Sequence, residues 1–179
     1  MFTKNPRSRK AFDKVVKFYQ LLSLAHTTAD LLNPFFYVSS SEWNLYDDLN
    51  EFFKHNDLPK GAFLLNSIKK WYQLLNTGNT KHQGKFIRVI RILEAFPKQK
   101  FILLGDNSQR DPEIYTYIAN KYSDRIITIY IRNVNNKKEA ITSKLLSSIQ
   151  NKQITTFQFN HTEEAINHSK SIGLIKDES

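Results

Sequence analysis

From Arg9 to Leu24 apolar residues recur at three- and four-residue steps, at Phe12, Val15, Val16, Phe18, Tyr19 and Leu22, a spacing that predicts a helix with one buried face. Pro34 blocks helix continuation, and the run Phe35-Phe36-Tyr37-Val38 then reads as a strand buried on both faces that ends in Ser39-Ser40-Ser41. Ser41 and Glu42 are placed to open a second helix, with Leu45, Leu49, Phe52 and Phe53 inward, running to about His55. Ala62-Phe63-Leu64-Leu65 reads as a second strand, and the polar stretch Asn76 to Gln83 as a surface loop. Phe86, Val89, Ile90, Leu93 and Phe96 form a helical stripe that begins after Gly84-Lys85 and stops at Pro97.

Phe101-Ile102-Leu103-Leu104 is a third buried strand, leading straight into Gly105-Asp106. Pro112 suits the first turn of a helix to about Tyr122, with Asp111 as its N-cap. Ile126 to Ile131 is a fourth strand, Ala140 to Ile149 a helix, Ile154 to Phe159 a weaker strand, and Thr162 to Ser171 a last helix capped by Thr162 and Glu163. Strands alternating with helices predict one α/β domain over residues 1–179, a doubly wound, mostly parallel, Rossmann-like sheet with right-handed crossovers. In such sheets ligands bind beyond the carboxyl ends of the strands, which directs attention to Ser39 to Ser41, Asn66-Ser67 and Gly105-Asp106.

Composition narrows the function classes. A hydrophobic fraction of 40% with 13% aromatics supplies a core and excludes wholesale disorder. With no cysteine, disulfide scaffolds, thiolate zinc sites, iron–sulfur clusters and Cys nucleophiles are all excluded, which fits a reducing, cytoplasmic compartment. No apolar run approaches the ~18 residues of a membrane span. The excess of 26 Lys+Arg over 17 Asp+Glu gives a net charge of +9, which favours anionic partners without choosing among nucleic acid, lipid head groups and phosphorylated small molecules. The basic residues are dispersed, and no nucleic-acid-binding motif accompanies them, which speaks against nucleic acid.

Two strand ends carry candidate chemistry. In FILLGDNSQRD, Asp106 and Asp111 are two hard oxygen ligands on one loop, suited to Mg²⁺, which takes one or two carboxylates and keeps several waters. Equally, Asp106 would cap a turn and Asp111 a helix. In FYVSSS the hydroxyls and backbone amides beside a helix start suit a phosphoryl group, or simply turn and cap chemistry. Lys85 either reaches a phosphate as a mobile point charge or is only solvated. The five histidines form no i, i+4 ligand pair, against zinc.

Taken in order, FYVSSSEWNLYDDL, GKFIRVIRILEAFP, FILLGDNSQRDPEIY and IYIRNV resemble the catalytic domain of phosphatidate phosphatases of the actin patch protein type, a branch of the haloacid dehalogenase superfamily. The likeness covers residues 7 to 134, and residues 135–179 read as a helical and strand extension. It implies that Ser39 hydrogen-bonds the transferring phosphoryl group, that Lys85 neutralises charge beside it, and that Asp106 and Asp111 hold Mg²⁺. Ser40, Ser41, Trp43 and Asn44 belong to the signature word, the serines and Asn44 on its phosphate- and substrate-binding side. The implied substrate is a phosphorylated lipid, met by peripheral contact at a membrane surface.

The superfamily's nucleophile and its acid/base sit in an Asp-x-Asp-x-Thr motif, and no Asp-x-Asp occurs in this chain; Asp47 and Asp48 are adjacent. The resemblance therefore implies a domain lacking its central nucleophile strand, with unpaired strand edges, poor stability and no activity of its own. The alternative is a non-catalytic remnant that binds phosphorylated ligands or nucleic acid.

Overall fold

The computed structural model of the protein describes residues 13–28, 30–66 and 80–176. They form an α/β chain of alternating helices and parallel strands, as expected of a Rossmann-like, doubly wound fold. The chain divides into two compact units. One comprises the residues up to Arg88 together with those from Ser169 onward, and the other runs from Val89 to His168.

In the first unit, helix α1 (Asp13–Ser23) buries Phe18 and Leu22, the centre of the predicted stripe; residues 9–12 of that prediction lie outside the described residues. The Asn33 side chain donates to the carbonyls of Leu22 and Ala25, satisfying acceptors that the helix end leaves open. Strands β1 (Phe35–Glu42) and β2 (Gly61–Asn66) pair in parallel, with α2 (Tyr46–His55) between them in sequence. Tyr37, Phe53 and Phe63 meet ring to ring at 4.4–5.3 Å. The Tyr37 hydroxyl donates to the Pro59 carbonyl at 2.7 Å, and burial, with Tyr19 nearby, raises its pKa so that it stays a neutral donor.

Two expectations change here. Phe35 to Val38 are half-buried rather than enclosed, because β1 has one strand neighbour, β2, among the described residues. The strand also continues through the serines to Glu42, and the second helix does not open at Ser41. Val38 pairs with Leu64 and Glu42 with Asn66, so Ser39, Ser40 and Ser41 stand against Leu65 alone. Such a bulge bends the strand locally and re-aims its residues. A 3₁₀ turn over Trp43–Leu45 then leads into α2.

Among the described residues, most of the closely packed core lies in the second unit. Strands β3 (Phe101–Asp106), β4 (Ile126–Arg132) and β5 (Thr155–Phe159) pair in parallel in that order. Ile129, Tyr130 and Ile131 of the middle strand have no exposure, as a strand with neighbours on both sides requires. In β3, by contrast, only Leu103 is buried, which corrects the reading of a fully buried strand: among the described residues β3 has a strand on one side only. Helices α4 (Asp111–Lys121) and α5 (Glu139–Ser147) contribute Ile114, Tyr115, Ile118 and Leu146 to the core. Helix α6 (Thr162–Ser171) is held at its start by Glu164, whose carboxylate accepts from the amides of Asn160 and His161.

Helix α3 (Thr80–Ala95) begins inside the stretch expected to be loop, and positions 76–79 lie outside the described residues. Thr80 to Gln83 carry no apolar stripe, so periodicity is blind to them, yet none of them breaks a helix. At its other end the Arg125 guanidinium donates to the carbonyls of Phe96 and Gln99, closing the turn that leads to β3.

Candidate functional site

At the end of β3, Gly105 places Asp106 as the last strand residue and the chain turns directly into α4. Asp111 is the first residue of that helix, and Arg110 occupies the N-cap position without a side-chain capping bond. Its carboxylate turns back on the strand and accepts the Asp106 amide at 3.3 Å. Only glycine permits this, since a Cβ at position 105 would stand 2.6 Å from Asp111 Oδ2 and 2.8 Å from the Tyr115 ring. Tyr115 steadies the same turn by donating from its hydroxyl to the Leu104 carbonyl at 2.9 Å. Asp106 Oδ1 accepts from both the amide and the hydroxyl of Ser108. The Asp111 side chain is thus packed on the backbone of Asp106, with Asp111 4% exposed.

Beneath this turn lies a residue the sequence reading missed. Asn107 has no exposure. Its Nδ2 donates to Asn133 Oδ1 and to the Asn135 carbonyl at 3.1 and 3.0 Å, while its Oδ1 accepts the amides of Val134 and Asn135, both at 2.9 Å. Lys138 Nζ donates to the carbonyls of Ser108 and Gln109, and Gln158 of β5 donates to Asn133 Oδ1. Asparagines directly after two adjacent strand ends were the available signal.

In the other unit, the Ser39 carbonyl within the β1 bulge accepts from an Arg88 terminal nitrogen at 3.0 Å. Arg88 is half-buried in α3, and burial lowers its pKa. Its Nε is shielded from solvent and has no hydrogen-bond partner. Lys85 lies three residues earlier, in the second turn of α3 rather than at its opening as expected. Ser40 and Ser41 belong to β1, with side chains outside the description; Asn44 is exposed in the 3₁₀ turn, and its neighbour Trp43, 57% exposed, stacks on Tyr46 at 5.0 Å.

At this strand end the buried Asp111 carboxylate lies on the Asp106 backbone amide and the Asp106 carboxylate on Ser108, and Mg²⁺ takes one or two carboxylates while keeping several waters in its shell. Among the described residues no group of three or more His, Asp or Glu is arranged to hold a metal, so a dedicated all-protein cage is not available there.

The family model described as "Phosphatidate phosphatase APP1, catalytic domain" matches residues 1–133, and the chain belongs to that family. It is 33% identical to the phosphatidate phosphatase APP1 of Saccharomyces cerevisiae over 131 residues, 73% of this chain and 21% of that protein. It is 28% identical to an uncharacterized protein of Schizosaccharomyces pombe over 100 residues, 55% of this chain and 16% of the other. The matched region is about a fifth or less of the length of these relatives. No solved structure matches.

Proposed function

We propose that the chain carries the phosphate- and Mg²⁺-binding part of a phosphatidate phosphatase site of the haloacid dehalogenase type, and that these 179 residues alone bind phosphomonoesters without turning them over. The observation that carries this reading is the buried Asp111 carboxylate held on the Asp106 amide over Gly105, inside the family match. In it, Asp106 and Asp111 hold Mg²⁺, which when bound supplies neutralising charge to phosphoryl oxygens. The Ser39 hydroxyl donates to the phosphoryl group, Lys85 offsets its negative charge, and Ser40, Ser41 and Asn44 line the substrate side. Phosphoryl transfer through an aspartyl-phosphate needs a nucleophilic Asp and a second Asp as acid and base, and the chain has no Asp-x-Asp pair to provide them.

The substrate class is a phosphate monoester on a lipid, approached from the cytoplasm by peripheral contact. The net charge of +9 and the exposed Trp43 support that approach, and no described helix is long and apolar enough to cross a membrane. Titration with Mn²⁺ as a paramagnetic substitute should broaden the amide signals of Gly105 to Asp111, and Asp106→Asn should abolish the effect. Phosphate release from dioctanoyl phosphatidate should stay at background. Vigorous Mg²⁺-dependent release, lost in Asp106→Asn, would overturn the binding-without-turnover reading, and absence of any cation effect would remove the metal pair.

A further inference from the structure

Arg88 is a cation in want of an anion. Its guanidinium is half-buried, no described carboxylate pairs with it, its one hydrogen bond goes to the neutral Ser39 carbonyl, and its shielded Nε has no partner. Burying a charged donor this way is unfavourable unless something compensates it. Its lowered pKa is due to desolvation, in keeping with no acid pairing with it among the described residues. The side chain folds back along α3 over Gly84, where a Cβ would stand 3.3 Å from Nη1, and a terminal nitrogen reaches the serine bulge at the Ser39 carbonyl.

We infer that Arg88 is a substrate-binding residue of this site, taking the oxygens of a phosphate monoester brought to the Ser39 bulge, with the Ser39 carbonyl holding the guanidinium in place until the anion arrives. The inference rests on the reading of the chain as a phosphomonoester-binding domain and adds a recognition residue to it. A planar fork suits two phosphoryl oxygens at once, which a point-charge lysine cannot match. Rotation about the last side-chain bonds exchanges a neutral acceptor for a charged one and gives Nε–H its partner.

The test follows the Arg88 Nε–Hε NMR signal of the full chain, at fixed ionic strength and with Mg²⁺, during titration with inorganic phosphate and separately with dioctanoyl phosphatidate below its micelle concentration. The signal should shift saturably with both ligands, tighter binding of the lipid pointing to the headgroup as the natural source and equal binding to the phosphoryl group alone. Arg88→Met should weaken either ligand about tenfold or more, and Arg88→Lys should recover part of that loss, with amide spectra confirming the fold. An unmoved Arg88 signal, or unchanged affinity in Arg88→Met while Asp106→Asn weakens binding, overturns the inference and leaves the functional reading standing. No phosphate binding by the wild-type chain overturns both.

Discussion

Every hydrogen-bonding group of the Asn107 side chain is engaged: two donors on one nitrogen and two acceptances on one oxygen, all inside the fold. Replacing it with alanine would leave the amides of Val134 and Asn135 and the Asn135 carbonyl without their partners, although water reaches this loop from the Val134 side, which is 52% exposed. At about 1 kcal/mol for each buried group left unpaired, Asn107→Ala should cost about 2–3 kcal/mol, read as a lowered urea midpoint with unchanged slope. Ser108→Ala, which removes one hydroxyl from an exposed position while leaving its amide on Asp106, should cost well under about 1 kcal/mol. Equal losses in the two variants would mean that the asparagine network does not hold the turn bearing Asp106 and Asp111. Local chemistry explains why this residue escaped the sequence reading: its partners lie 26 to 28 positions away, and an Asn after a strand reads as turn polarity.

Helix α6 is joined to the second sheet by His168, whose ring stacks on Phe157 of β5 at 4.2 Å and whose Nδ1 is hydrogen-bonded to the Tyr130 hydroxyl of β4 at 2.9 Å. Burial lowers the His168 pKa below its ordinary value of 6.5. The folded chain therefore takes up this proton less readily than the unfolded chain, so stability is full above about pH 6.5 and falls as pH drops through the folded pKa. Thermal melts should be level from about pH 8 to 7 and decline between about 6.5 and 5, before most carboxylates titrate, and His168→Gln should flatten that decline. Parallel pH profiles for wild type and variant would sink the assignment. Elements of this kind were legible because a buried helix face and an apolar run leave periodic marks, as at Phe18 and Leu22 of α1 or Ile126 to Ile131 of β4. Register left no such mark. Three serines in a row read as the end of a strand, whereas pairing of Glu42 with Asn66 keeps them inside it as a bulge. Edge and centre were equally indistinguishable: Phe101 to Leu104 is as apolar as Ile129 to Ile131, and among the described residues it is the number of strand neighbours that separates the half-exposed strand from the buried one. At the candidate site the Gly105-Asp106 word and Asp111 were readable because they adjoin an apolar strand, but the back-turned Asp111 carboxylate was mistaken for a cap. Arg88 was visible only as one more basic residue on a helix.

At the scale of the molecule, two features oppose each other. Among the described residues β1 and β3 each have a strand on one side only, and β3 presents Phe101, Ile102 and Leu104 half-buried, with no charge before Asp106. An apolar edge of that kind is a template for pairing with a second chain. The net charge of +9 works against association, because two such chains repel over the screening length, about 30 Å in 10 mM salt and about 10 Å in 100 mM. Raising the salt removes the repulsion and leaves the edges unchanged. Light scattering should accordingly show a monomer in roughly 10 mM salt and growing, concentration-dependent association above roughly 100 mM, the reverse of what attraction between unlike charges would give. Ile102→Lys places a charge on the β3 edge and should suppress the association, and Phe36→Lys should do the same if β1 contributes. A chain that stays monomeric at every salt concentration would show that neither edge is open to pairing. Association that both variants leave untouched would place the contact elsewhere, and the exposed Leu31 and Leu32, 73% and 53% accessible, would then be the surface to mutate next.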